Sequence, residues 1–307
     1  MASLQGKFFI SMVRNRHLMK FKLKPEVVTE QSDTQKMRAE FEAGAAKMGG
    51  IPGTVEVVPL DIQGMYAEWI GPLGMARRKV ILYVHGGGYV SGNCNDHRMH
   101  VAKLVQEADA PALLYDYRLA PEHPFPAAVE DTLNAYRWLL AQGIAAQNIV
   151  LVGESAGGGL CMAALVEIRD QELPVPAGGV ASSPWLDLTC TADSYQRNAR
   201  KDISLLGSWQ VWNRYYYADA DPRHPWVSPL YADLAGLPPL FIQVGTHEIM
   251  LDDSVSFIRK AKTAGVDASI SIWEEMVHCF AFFSPYFPEA KAGMAELGGV
   301  VRKYLAD

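Results

Sequence analysis

The sequence predicts an α/β protein built on a mostly parallel, eight-stranded sheet with helices on both faces. Three observations carry that prediction. Short apolar runs alternate with helical patterns from Val80 to the last histidine, which is how strands and crossover helices alternate in a parallel sheet. Two earlier apolar runs are joined by a short polar turn, which adds a hairpin and makes the sheet mixed. The third is Gly153-Glu154-Ser155-Ala156-Gly157, set between an apolar run and a helical pattern. It reads as strand, sharp turn, helix.

Residues 1–50 read as mostly helical and end at the breaker cluster Gly49-Gly50-Ile51-Pro52-Gly53. Thr54–Leu60 and Met65–Ile70 are the hairpin strands, turning through Asp61-Ile62-Gln63-Gly64. The remaining predicted strands are Val80–Val84, Ala112–Asp116, Ile149–Val152, Gly179–Ser182, Leu240–Val244 and Ala268–Trp273. Helical patterns fall at His97–Glu107, Ala127–Gln142, Gly158–Gln171 and Asp252–Gly265. The stretch from about Trp185 to Pro239 is too long for a plain crossover. It carries Trp209, Trp212, Tyr215, Tyr216, Tyr217 and Trp226, which suits a lid or pocket wall, although aromatic residues there also suit simple core packing.

The chain has 307 residues and 49% hydrophobic content, enough for one large core, so a single domain over 1–307 is expected. Within it, 1–50 forms an N-terminal cap segment and about 185–239 a second cap insertion. A net charge of −6 gives no electrostatic case for nucleic acid. Cys94, Cys161, Cys190 and Cys279 lack metal-site or redox spacing, and read as reduced thiols of a cytoplasmic protein. No run approaches the roughly 20 apolar residues of a membrane span. Near the N-terminus, Lys7, Arg14, Arg16, Lys20, Lys22 and Lys24 interrupt Phe8, Phe9, Ile10, Met12, Val13, Leu18, Met19 and Phe21. That interruption excludes the continuous apolar core of a secretory signal. A membrane-surface helix is the rival to a cap that packs its apolar side inward.

Ser155 is the candidate nucleophile. A serine at such a turn projects from the carboxyl end of its strand beside a helix N-terminus. It then needs oxyanion donors, a base, and an acid to orient the base. His85-Gly86-Gly87-Gly88-Tyr89 follows the third strand and offers bare backbone N–H groups at Gly87 and Gly88, with Ala156 as the third donor. A phosphate-cradling role is disfavoured because no Lys-Ser/Thr follows. A metal role for His85, His97 and His100 is a minor rival, and no metal or other cofactor is expected. His278 alone among the histidines follows the last strand and is the expected base; His224 and His247 are the alternatives. The acid belongs after the seventh strand, where Glu248 lies in the loop and Asp252 and Asp253 start a helix. The loop residue suits the role better, with Asp252 as the alternative.

Together these stretches resemble the bacterial hormone-sensitive-lipase-like esterases, a branch of the α/β-hydrolases. The resemblance spans nearly the whole chain. It rests on the His85–Tyr89 and Gly153–Gly158 stretches, on Tyr117–Ala128, on Ser183-Pro184-Trp185-Leu186-Asp187, and on the acid and His278 regions. It implies the α/β-hydrolase fold with a helical cap, and hydrolysis of carboxylic esters with short to medium acyl chains without cofactor. The family's acid motif, Asp-Pro-Leu-x-Asp, has its first Asp at Glu248 here and its second at Asp252. Two other positions depart from the pattern: Glu154 stands where Asp is usual, and Cys279 where Gly is common. The same triad serves amidases and acyltransferases, and some receptors share the fold without catalysis. Pairing into a homodimer near the last strand is a further implication of the resemblance. Tyr89, Trp209, Trp212 and Tyr216 are candidate substrate-binding residues, and Phe8, Phe9, Met12 and Met19 could also line the pocket from the N-terminal cap.

Overall fold

The computed structural model describes residues 2–19, 27–45, 50–204 and 206–306. The helical reading of 20–26 and 46–49 lies outside the described residues, as does the side chain of Met19.

Eight strands form one sheet: β1 (Val55–Ile62), β2 (Met65–Pro72), β3 (Val80–Val84), β4 (Ala112–Tyr115), β5 (Ile149–Glu154), β6 (Gly178–Ser182), β7 (Leu240–Gly245) and β8 (Ala268–Trp273). Their spatial order is β1-β2-β4-β3-β5-β6-β7-β8. The β1–β2 hairpin is antiparallel, β2 pairs antiparallel with β4, and every later pairing is parallel. The helices are α1 (Leu4–Arg14), α2 (Arg16–Met19), α3 (Thr34–Ala45), α4 (Cys94–Ala108), α5 (Ala127–Ala141), α6 (Ala156–Asp170), α7 (Asp193–Arg197), α8 (Ser208–Tyr217), α9 (Leu251–Thr263) and α10 (Pro288–Ala306).

Alternation along the strands divides the core in two, because successive side chains point to opposite faces. Leu82, Val84 and Leu151 pack with Leu133 and Leu139 of α5, Leu160 of α6 and Phe257 of α9. Ile81, Tyr83, Val150 and Val152 pack with Val101 and Leu104 of α4 and Leu297 and Val301 of α10. The central strands β3 and β5 are buried along their whole length, as parallel strands covered on both faces must be.

Two differences from the sequence reading have physical causes. Helix α4 starts at Cys94, three residues earlier than its apolar pattern suggests, because Asn93 and Asp96 form a reciprocal capping box. Helix α10 has no counterpart among the predicted helices. Gly293, Gly298 and Gly299 weaken its local helical signal. Packing reverses that penalty: a Cβ at Gly298 would lie 2.6 Å from the backbone carbonyl carbon of Glu107, so the glycine lets α10 rest directly on α4.

The long β6–β7 connection holds α7 and α8. In the N-terminal segment, Phe9 packs on Phe283, Tyr286 and Phe287, whereas Phe8 is exposed. Among the described residues, no helix is long and apolar enough to cross a membrane.

Candidate active site

Ser155 sits between β5 and α6 with φ 55° and ψ −124°, a conformation that L-residues rarely adopt. Such a residue costs about 1–3 kcal/mol and persists only when its surroundings over-determine it. Here they do. Its N–H donates to Ser182 O at 3.0 Å, and its carbonyl accepts from Gly159 at 3.1 Å and Trp185 at 2.9 Å. Gly157 makes the turn sterically feasible, since a Cβ there would lie 2.2 Å from Val84 O and 2.3 Å from His85 O. Although Ser155 occupies the N-cap of α6, its hydroxyl caps nothing. Instead, Oγ lies 2.8 Å from His278 Nε2.

His278 follows β8, and its Nδ1 lies 3.3 Å from Glu248 Oε2, long for a charge-assisted bond. Glu248 is fully buried. Its other oxygen accepts from Gly245 N–H at 2.6 Å and Ser183 Oγ at 2.8 Å. Burial pushes the Glu248 carboxyl above the usual range, opposed by its bonds from His278 and Gly245. Burial alone would lower the His278 pKa, but Cys279, Glu248 and Asp202 together raise it well above the ordinary value. The Cys279 thiol is itself pushed up by burial, so near neutral pH it carries no charge. The lasting upward pull on His278 therefore comes from Glu248 and Asp202.

The structure brings Glu248, and not Asp252, to His278. Asp252 lies in the first turn of α9, pairs with Arg197 at 2.9 Å and accepts from Ser194 N–H at 3.0 Å. His247 lies in the same loop, where its N–H donates to Met276 O at 3.0 Å, and His224 packs against Phe125 and Trp226.

A cavity of about 320 Å³ opens over this group. Gly86, Gly87, Gly88 and Ser155 line it together. Gly87 and Gly88 have φ 109° and 65°. Among the described residues, the N–H groups of Gly87, Gly88 and Ala156 donate to no protein acceptor. Trp209 and Trp212 also line the cavity, joined by Trp185 and Met250. Tyr89 and Tyr216 do not. These rings stack on each other 3.7 Å apart, both 1% exposed, packed behind the cavity wall. The reading of these two as substrate-binding is thus corrected: both are core residues. Phe8, Phe9 and Met12 also lie off the cavity. The N-terminal segment reaches it through Arg16 and Phe41 instead.

Two supporting residues carried no signal of their own in the sequence. Ser183 links Glu248 to the loop that carries His278: its Oγ donates to Glu248 Oε1 at 2.8 Å and accepts from Cys279 N–H at 2.9 Å. Asp202, from the β6–β7 connection, accepts from Ile249 N–H at 2.8 Å and from His278 N–H at 3.4 Å. It ties the insertion to the loops that carry Glu248 and His278. A buried aspartate in a connection can be recognised only once its partners are in place.

This serine–histidine–carboxylate geometry at the carboxyl ends of β5, β7 and β8 defines a hydrolase of the serine type. Residues 81–282 match the model of a family described by its alpha/beta hydrolase fold. An acetyl-hydrolase of Streptomyces hygroscopicus is 37% identical over 278 residues, covering 89% of this chain and 91% of that protein. An esterase of Acinetobacter venetianus is 37% identical over 246 residues, 80% of this chain and 81% of its own. A crystal structure of an esterase from the bacterial hormone-sensitive lipase family superposes with a TM-score of 0.90 at 40% identity, covering 99% of each chain. The esterase EstE5, soaked with p-nitrophenyl butyrate, gives a TM-score of 0.90 at 40% identity over the whole of both chains. The chain belongs to the α/β-hydrolase family, in its bacterial hormone-sensitive-lipase-like branch of carboxylesterases.

Proposed function

We propose that the chain hydrolyses carboxylic esters of short to medium acyl chains through a covalent acyl-enzyme on Ser155. One observation carries the reading: the strained Ser155 directs its hydroxyl to His278 Nε2 at 2.8 Å, while His278 Nδ1 faces the buried Glu248. Ser155 Oγ attacks the ester carbonyl carbon as its proton passes to His278 Nε2. The carbonyl oxygen becomes an oxyanion and accepts from Gly87, Gly88 and Ala156 N–H, donors of a kind each worth roughly 3–4 kcal/mol to the transition state. Collapse expels the alkoxide, which takes the proton from His278. Water then attacks the acyl group by the same base, and Ser155 leaves. Glu248 holds the imidazole with Nδ1 protonated and stabilises the imidazolium.

The cavity volume and the apolar wall of Trp185, Trp209, Trp212 and Met250 support a small acyl or alcohol group. The relatives named acetyl-hydrolase and ethyl acetate hydrolase support the same size class. Ser155→Ala is expected to lower turnover of 4-nitrophenyl acetate by about 10⁵-fold or more while the fold is retained. An unchanged rate would remove Ser155 from the mechanism.

A further inference from the structure

Beside the Ser155 turn stands a second row of ionisable groups that the acyl transfer itself does not use, of which His97 and Glu154 also line the cavity. Asp96 and His97 stand in the first turn of α4, and Glu154 ends β5. The His97 imidazole is clamped between the two carboxylates. Its Nδ1 meets Asp96 Oδ1, and its Nε2 lies 3.0 Å from Glu154 Oε1. An ionised carboxylate only accepts hydrogen bonds, and a neutral imidazole has one N–H to give. Carboxylate oxygens at both ring nitrogens are satisfied together by an imidazolium. Asp96 is itself fixed, accepting from Asn93 N–H at 2.9 Å while its own N–H donates to the Asn93 side chain at 3.0 Å.

Glu154 is where this row meets the reaction. Its Oε1 accepts from Gly86 N–H at 2.6 Å and its Oε2 from the Tyr83 hydroxyl at 2.5 Å. Gly86 opens the oxyanion loop, and Glu154 directly precedes Ser155. One carboxylate thus joins the nucleophile turn to the loop that supplies two of the three donors. Its charge also opposes the developing oxyanion, and a buried charge acts at longer range than one in water. A cation at 3.0 Å offsets it.

We propose that His97, held as an imidazolium between Asp96 and Glu154, is a positioning residue for ester hydrolysis. It fixes the carboxylate that spans the Ser155 turn and the Gly86–Gly88 loop, and offsets that carboxylate's charge as the oxyanion forms. This deepens the acyl-transfer reading above and rests on it.

The groups around His97 leave it in control of the local charge. The His85 and His100 rings stand 5.1 and 6.1 Å away, and both are pushed down to about 3 by burial and by the charge on His97. Burial pushes up Tyr83, Tyr117 and the Cys279 thiol, which stay neutral. For His97, burial alone would lower the pKa, but Glu154 and Asp96 raise it well above the ordinary value. For Asp96, burial opposes ionisation, but the bond and charge of His97 together with the bond from Asn93 N–H hold its pKa below the ordinary value. Two carboxylates and one imidazolium therefore stand beside Ser155 until His97 loses its proton on the alkaline side.

The test combines kinetics with a direct view of the ring. His97→Gln is expected to lower kcat roughly 10- to 100-fold with KM nearly unchanged, and to abolish the alkaline limb of the wild-type kcat profile. Glu154→Gln alone should slow the enzyme, yet added to His97→Gln it should recover part of the rate by removing the uncompensated charge. A bracing role without charge compensation predicts the reverse, a double variant slower than either single one. In the unaltered protein, ¹⁵N-histidine NMR at mildly alkaline pH should show a ring with both nitrogens protonated, whose signals are missing in His97→Gln. Labelling with a fluorophosphonate separates the two levels of the account. If wild-type Ser155 does not label, the acyl-transfer reading fails. If it labels, then wild-type kcat and pH profile in His97→Gln, no rate recovery in the double variant, or a singly protonated His97 ring overturns the role of His97 alone.

Discussion

In the proposed mechanism His278 must meet two opposed demands: it has to be neutral to take the Ser155 proton, and stabilised once it has taken it. The buried Glu248 answers the second demand and shifts the balance of the first. Because the His278 pKa is raised above the ordinary 6.5, the imidazolium survives to higher pH and the basic form is gained only as pH rises through the raised value. The acid limb of kcat/KM is thus expected above pH 6.5, with activity lost below it. Glu248→Gln removes the carboxylate charge, so that limb should move to lower pH while kcat falls about 10³- to 10⁴-fold. Asp252→Asn should leave both almost unchanged, because it breaks only a partly exposed ion pair with Arg197, worth at most ~1 kcal/mol. A pH–rate series on the two variants decides between these acids. Ser155 and His278 were legible in the sequence because each follows a recognisable strand. The choice between Glu248 and Asp252 was not settled by residue type alone, since both are acids in one short segment. It is the turn after Gly245, closed by Glu248 N–H to Gly245 O at 3.2 Å, that directs Glu248 inward. Tyr89 and Tyr216 were misread because an aromatic residue looks the same in a pocket wall and in the core behind it.

The elements hold the site through close backbone contacts more than through side chains. Helix α6 leaves β5 so tightly that its second residue, Gly157, faces the carbonyl oxygens of Val84 and His85. Gly157→Ala should therefore push α6 away from β3, costing about 3 kcal/mol of stability, and lower activity by displacing Ser155 from the oxyanion loop. Thermal unfolding and ester turnover measured together check this; a fully stable, fully active variant would contradict it. The eight strands were legible because apolar runs bounded by turn residues repeat along the chain. Their order was not, since register and neighbours depend on packing that no local run encodes. Helix α10 was missed for a related reason: its glycines argue against a helix locally, and only contact with α4 explains them.

Across the whole molecule, the cavity draws on segments far apart in the chain. Arg16 and Phe41 come from the N-terminal segment, Trp209 and Trp212 from the β6–β7 connection, and Phe282 from the stretch after His278. Length and composition pointed to both of these segments, but Phe8 and Phe9 do not line the cavity, because they lie on faces of α1 that do not meet it. The motifs marked the chemical centre more sharply than the walls, since catalysis fixes residue type at a few strand ends whereas a wall can be built from many apolar residues. The proposed function stands on the covalent step at Ser155. Rapid mixing with 4-nitrophenyl acetate, followed by acid quench and peptide mass spectrometry, tests it most directly. One acetyl group per chain is expected, carried by the peptide that contains Ser155 and absent from Ser155→Ala. Turnover with no acetylated peptide under conditions where deacylation is slowed, or acetylation at another residue, would contradict it.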